Sequence, residues 1–378
     1  MPQGAFASRV LLFPVLLGLF LLLGAGAAAR SGPADQAEAQ GLVLARPPAG
    51  RIYHAAYPGF GNAEEKVTRR SIRHFEALAG RRIAWVYFSN NWWRGRIRFP
   101  GRAVRTITGM GRTPFIRLMA RSSWATGTDP NFSMQSFIEG RWDPELRRWC
   151  DQAAALEVPI LAEFGTEVNG SWFPWNGKWN GGGRTDGYGD PLLADGPERF
   201  RDAYRHLIGI CRNRGAVDIT WFFHVDVAPD PAAAWNREYL AYYPGDDYID
   251  WIGLSNYGKL DPLYDSPRFQ DKLDSHWSSI RRISREKPVA VLEYGRMQSP
   301  GDRAKARWIA RAIGSVASGR WPRVQGLAYW NERFPAVKRG FVNLRIDSSR
   351  RATSAYRRGV SGRQFTGHPI FKRRTKAG

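Results

Sequence analysis

The stretch that decides the fold is Val158-Pro-Ile-Leu-Ala-Glu-Phe-Gly-Thr-Glu-Val-Asn-Gly-Ser-Trp-Phe-Pro-Trp175. Its first part, Pro159–Phe164, is an apolar run of strand length. It breaks at Gly165 into a segment carrying a carboxylate, an amide and aromatic rings. Working outward, the same kind of apolar run recurs at Ile52–Ala56, Ile83–Phe88, Pro114–Met119, Ile219–Phe223, Ile249–Leu254, Val289–Leu292 and Gln325–Tyr329. Helix-like stretches lie between most of them, at Glu64–Leu78, Pro144–Leu156, Pro197–Arg212, Pro267–Ile283 and Asp302–Val316. Near-continuous apolar strands alternating with amphipathic helices predict a parallel sheet covered on its outer side. Eight such units in roughly 300 residues fit a closed (β/α)8 TIM barrel, a single α/β domain with long βα loops. An open doubly wound sheet is the alternative, disfavoured because no Gly-rich phosphate fingerprint follows the first strand.

In a closed parallel barrel the chemistry sits at the C-terminal ends of the strands. The longest loop there runs from Glu167 to Asp195 and contains Trp172, Trp175 and Trp179. Glu167 follows the fourth strand, and Glu293 ends the seventh in Pro288-Val-Ala-Val-Leu-Glu-Tyr-Gly295. A carboxylate at the end of an apolar strand is costly to hold, because desolvation disfavours its charge. A single one is more often a structural ion-pair partner. Two, on strands expected to face each other across the mouth and with tryptophans beside them, fit the arrangement that retaining cleavage of a glycosidic bond requires.

Composition sets the outer limits. Of 378 residues, 43% are hydrophobic and 24% charged, a globular balance, and sixteen are Trp, enough for both a core and a sugar-stacking groove. The formal charge of +22 favours polyanions. Without zinc-finger spacing or an RNP-like segment, no nucleic acid is expected. The polyanion is either an acidic glycan or an anionic membrane surface met by the basic C-terminal run. The plainer alternative is an Arg-rich composition with a solvated tail. Val10–Leu23 is apolar and Gly24–Ala29 small, so residues 1–29 read as an export signal, or as an uncleaved inner-membrane anchor. The expected order is then a linker over 30–50, the barrel over 51–345, a basic extension over 346–378, and a secreted or periplasmic location. Cys150 and Cys211 fall on consecutive barrel helices and are either a disulfide or two buried thiols.

Several segments resemble glycoside hydrolase family 26, the family of many β-mannanases. Glu167–Trp175 resembles its acid/base segment, Tyr242-Tyr-Pro-Gly-Asp-Asp-Tyr-Ile-Asp-Trp-Ile-Gly253 its run into the sixth strand, Leu292–Gly295 its nucleophile segment, and Tyr53–Asn62 its opening strand and loop. The resemblance implies a (β/α)8 barrel, a retaining mechanism with Glu167 as acid/base and Glu293 as nucleophile, and no metal or cofactor. It also implies that Tyr257 donates a hydrogen bond to Glu293. The chain departs from the family pattern at Thr166, where a His is common, and at Glu163, where an Arg stands. Arg117 on the third strand is the expected bidentate partner of Glu163. Trp172, Trp175, Trp330, His224 and Asn169 are the remaining substrate-binding candidates. Asp226, Trp85, Asn90, Asn91, Trp92 and Trp93 have a weaker claim. No His, Cys or Asp cluster has metal-ligand spacing. The expected substrate is a β-linked polysaccharide, a β-mannan or related β-glycan cut internally. The competing readings are hydrolysis of an acidic or mixed-linkage bacterial exopolysaccharide, and a barrel that binds glycan in polysaccharide assembly without cleaving it.

Overall fold

A computed structural model describes residues 41–61, 63–261, 266–298, 303–335 and 340–374; the expected signal, residues 1–29, lies outside them. Eight parallel strands form the barrel: β1 (Ile52–Tyr57), β2 (Trp85–Asn91), β3 (Thr113–Met119), β4 (Ile160–Phe164), β5 (Ile219–Asp226), β6 (Trp251–Ser255), β7 (Val289–Tyr294) and β8 (Val324–Trp330), with the short strand Phe365–Thr366 added parallel to β1. They pair in chain order, and β1 pairs with β8 from Tyr53↔Gly326 to Tyr57↔Trp330, which closes the barrel.

Around it lie α1 (Arg69–Ala79), α2 (Gly101–Thr108), α3 (Asp143–Ala154), α4 (Asp195–Asn213), α5 (Phe269–Ile283), α6 (Arg303–Ala317) and α7 (Arg350–Val360), with two short helices, Ala234–Arg237 and Tyr239–Tyr242, between β5 and β6. α1 starts five residues later than the sequence suggests. Thr68 caps it by accepting from the Ser71 N–H, leaving Glu64 outside the helix. That shift frees Glu64 for the mouth of the barrel.

Strand alternation sorts the interior into two layers. Near the strand starts Tyr53, Trp85, Phe115, Phe222 and Trp251 form a ring of aromatic contacts with centroids 4.6–6.2 Å apart. This layer is a packed apolar plug. Two residues further along the strands, Tyr87, Arg117, Glu163 and His224 make a polar layer beneath the mouth, all of them buried.

The boundaries expected at 50/51 and 345/346 do not fall there. Leu42–Leu44 pairs antiparallel with Phe371–Arg373, across the bottom of the barrel. Leu44 bonds to Thr220 Oγ1 through its N–H and accepts from the Trp251 indole. The expected extension supplies α7, which packs against α6 and α1. Much of its charge is used locally: Arg357 donates to the carbonyls of Ala77 and Leu78 at the end of α1, and Arg374 pairs with Asp250 at 2.6 Å. Cations suit a helix C-terminus, where carbonyls lack partners. Cys150 on α3 and Cys211 on α4 are joined in a disulfide, with Cα atoms 4.9 Å apart. Closing a loop of 61 residues stabilises the fold by about 4 kcal/mol on the chain-entropy account.

Candidate active site

Glu167 lies just past β4, 6% exposed. Its backbone is left-handed at φ 47°, following Gly165 at φ 71°. A Cβ on Gly165 would meet the Phe200 ring at 2.4 Å, so only glycine lets the chain turn there. The Trp172 indole donates to Glu167 Oε2 at 2.8 Å. Burial, then the charge of Asp226, pushes the Glu167 carboxyl upward, while His224, Ser255 and Trp172 restrain it. This group is built to hold a proton.

Glu293 comes one residue before the end of β7, 4% exposed, and is held differently. Tyr257 donates to its Oε2 at 2.7 Å, the contact the resemblance implies. The Tyr87 hydroxyl stands 3.3 Å from Oε1, with its proton on the nearer Glu163, and Arg117 Nη2 lies 3.2 Å from the same oxygen. Burial, reinforced by Glu167, pushes Glu293 up to about 7, while Arg117, His224 and Tyr257 pull it down. A hydroxyl donor and a guanidinium aimed at one carboxylate favour its charged form. Ser255 is the register partner of Glu293 on β6, and its hydroxyl also acts on Glu167, so the two carboxyls share one neighbourhood.

The expected bidentate Arg117–Glu163 pair is not there. Arg117 Nε stands 3.7 Å from Glu163 Oε1 and donates instead to Thr166 Oγ1 at 3.1 Å, while Nη1 reaches Glu64 at 3.4 Å and Ser89 at 3.0 Å. The guanidinium is drawn to the reacting carboxylate, and Glu163 is satisfied by others. His224 Nδ1 lies 2.9 Å from Glu163 Oε2, and Tyr87 and Thr166 donate to Oε1. Burial works against charge on both, yet the pairing wins: Glu163 is lowered and His224 raised, the signature of an ion pair. Thus Glu163 is held by His224 on β5 together with Tyr87 and Thr166.

That pairing removes His224 from the substrate candidates, because its Nε2 is also taken, by Ser255 at 2.9 Å. Asn169 is fully buried and clamps the loop to β5, donating to the Asp226 carbonyl at 2.7 Å and accepting the Asp226 N–H at 2.8 Å. Trp175 is equally buried, stacked on Phe173 at 4.4 Å and bonded to the Thr166 carbonyl at 2.8 Å; it anchors the loop and offers no face to a sugar. Trp330 is 5% exposed, stacked on Tyr57 at 4.0 Å with Arg117 4.7 Å from its centroid, so only a small part of the ring reaches the mouth. Trp172, 39% exposed, is open to a ligand. Trp85 belongs to the plug, and Asn90 accepts from the Trp92 and Trp149 indoles beneath the rim. Asn91 accepts from Arg121, Asp226 lies beside Glu167, and Trp93 is half-exposed on the rim.

Sequence reasoning missed Tyr87, Ser89, Ser255 and Glu64. Alternation along Trp85-Val-Tyr-Phe-Ser89 was the available signal for the first two, since it aims Trp85, Tyr87 and Ser89 inward together. Glu64 carried no such signal, being hidden by an apparent helix start.

Residues 144–275 match the model of glycosyl hydrolase family 26. The chain is 26% identical over 230 residues to endoglucanase H of Acetivibrio thermocellus, covering 58% of this chain and 22% of that protein. It is 28% identical over 151 residues to a mannan endo-1,4-β-mannosidase of Bifidobacterium adolescentis, covering 39% and 13%. The chain therefore spans about a fifth or less of the length of these two relatives. Among solved structures, the Cellulomonas fimi endo-β-1,4-mannanase double mutant superposes with a TM-score of 0.57 at 15% identity, over 84% of this chain and 72% of that one, a likeness of fold. The matched segment carries Glu167, Asp226 and Tyr257, and over that part of the chain the protein is similar to glycosyl hydrolase family 26.

Proposed function

We propose that the protein is a retaining, endo-acting glycoside hydrolase of β-linked polysaccharide, with Glu167 as acid/base and Glu293 as nucleophile. The observation that carries this reading is the different company of two buried carboxyls in one mouth: Glu167 has the Trp172 indole and the Asp226 carboxyl beside it, while Glu293 has the Arg117 guanidinium and the Tyr257 hydroxyl. A cation and a hydroxyl donor suit a nucleophile, and a site without a cationic partner suits a general acid.

Glu167 protonates the departing glycosidic oxygen as Glu293 attacks the anomeric carbon, giving a covalent glycosyl-enzyme. Glu167, now ionised, takes a proton from water, which displaces Glu293 and restores the anomeric configuration. Trp172 both orients Glu167 and presents its outer face to the leaving sugar. A β-glycan substrate and internal cleavage are supported by the relatives, whose printed names are endoglucanase, β-1,3-xylanase and mannan endo-1,4-β-mannosidase. Those names differ in sugar, and the Glu163–His224 pair lies where the family has Arg, so the reading extends to β-glycans beyond mannan. Export is part of the same proposal, supported by the apolar start of the chain and by a disulfide suited to an oxidising compartment.

The test is Glu293→Gln assayed against neutral and acidic β-glycans beside the parent, with the first-formed product followed by NMR. The parent is expected to release reducing ends with β configuration retained, and Glu293→Gln to lose about 10³-fold or more in turnover while still binding glycan. Inverted product, or equal rates for the two proteins, overturns the assignment.

A further inference from the structure

An aromatic path leads away from Glu167 over the rim. Trp172, bonded to Glu167, contacts Phe173 at 6.4 Å. Arg121, just past β3, has its guanidinium carbon 5.7 Å from the Phe173 ring, 5.3 Å from Trp93 and 3.9 Å from Trp124. Trp93 and Trp124 pack with centroids 5.0 Å apart. Trp93 is half-buried, and Trp124 is 64% exposed, more than any other large apolar side chain of the described residues except Leu192. The Arg94 N–H donates to the Ser122 carbonyl at 3.1 Å and the Trp93 indole to Glu65 at 3.3 Å, so the loops after β2 and β3 form one fixed platform.

Its charge leans positive, although Glu65, bonded to the Trp93 indole and the Asn91 N–H, acts on Arg121 as well. Arg121 is 6% exposed, and the carboxylate it reaches, Glu64 at 3.4 Å, is shared with Arg117 and with the Ser89 hydroxyl. Arg94 and Arg96 are exposed on the same loop and make no ion pair among the described residues. Asp129 on the neighbouring loop is spent on Ser122, Asn131 and Phe132. An apolar ring that faces solvent costs free energy unless something covers it. A sugar offers the flat C–H face that covers it, and cations around such a ring select a sugar that also carries negative charge.

We propose that Trp93, Trp124 and Arg121, with Arg94 and Arg96 at their edge, form a distal subsite for a carboxylate-bearing sugar, making the substrate an acidic β-glycan. This rests on the hydrolase reading and narrows its substrate. The tryptophan rings stack on the sugar, and the guanidinium groups meet the carboxylate, whose two oxygens match their paired N–H donors.

The experiment pairs β-1,4-linked mannose and glucose hexamers with the same oligomers oxidised at C6 to uronates, binding being measured on the Glu293→Gln protein. The uronates are expected to bind about tenfold or more tighter than their neutral partners at low salt, with most of that advantage gone near 0.3 M salt. Arg94→Gln/Arg96→Gln should remove the advantage without weakening the neutral oligomers. Trp124→Ala should weaken both by roughly tenfold, since it removes stacking. Equal affinity for neutral and oxidised oligomers, or an advantage that survives both variants, overturns the subsite. Cleavage is read separately on the parent: if no oligomer yields reducing ends while the salt-sensitive preference persists, the hydrolase reading fails and the subsite stands.

Discussion

Arg117 is the residue on which the candidate site turns. Its guanidinium faces Glu293, Glu64 and Glu163, and it stacks against Tyr87 and Trp330. Removing it leaves three carboxylates with less compensation in a buried space. Arg117→Met is expected to cost on the order of 3–5 kcal/mol in denaturant unfolding, the scale for breaking a buried ion pair. The pH dependence has a definite sign. Glu293 must be ionised to attack, burial has raised it to about 7, and Arg117 opposes that rise. Without Arg117 the acidic limb of kcat/KM moves to higher pH, so activity falls more at pH 6 than at pH 8. A limb that stays put in Arg117→Met would show that Glu293 is not the group titrating. Stability follows the same group. Its folded value lies above the ordinary 4.5, so its contribution is fully present below 4.5 and is lost as pH rises through about 7. Glu163, lowered by its partners, contributes in the opposite sense, and its share is lost as pH falls.

At the scale of elements, the loop after β4 is a rigid arm, despite its length. Asn169 ties it to β5 through both atoms of its amide, Trp175 to the turn at Thr166, and Asn176 to the Val168 carbonyl. The left-handed backbone at Glu167 costs of order 1 kcal/mol or more and persists because these contacts over-determine it. Asn169→Ala should lower stability by about 1–3 kcal/mol, the price of leaving the buried Asp226 N–H unpaired. It should lower kcat more than it raises KM, because Glu167 loses its fixed position while Trp172 and the outer rim keep theirs. A rise in KM with kcat unchanged would instead assign Asn169 to sugar binding.

At the scale of the molecule, both ends of the described chain belong to the barrel. The strand pair Leu42–Leu44 with Phe371–Arg373 covers the plug, and α7 fills the ring between β8 and β1. A chain ending at Arg345 is therefore expected to be insoluble or to lack a cooperative unfolding transition in circular dichroism. Soluble, cooperatively folding protein from that truncation would restore the tail to the status of an appendage. The positive charge of the tail is partly structural for the same reason, since Arg357 and Arg374 complete hydrogen bonds inside the fold.

How much of this was legible follows from the range of the interactions involved. The eight strands, five of the helices, and Glu167 and Glu293 at strand ends are written in apolar runs and their breaks, because burial of a strand depends on a few consecutive residues. Partnership is not written there. His224 and Asn169 look like polar residues available to a ligand, and only the neighbouring strands and loop, 61 and 57 residues away for their main contacts, take up their hydrogen-bonding groups. Trp175 and Trp172 are three residues apart with the same chemistry, yet one faces the core and the other the groove. Arg117 lies closer to Glu293 than to its register partner Glu163, whose other oxygen is held by His224. By itself the sequence determined the barrel and which carboxylates end its strands, since local hydrophobic pattern is enough for that. The tertiary structure alone decided which charges pair, which tryptophans stay open, and that the termini seal the bottom, since those depend on contacts between residues tens to hundreds of positions apart.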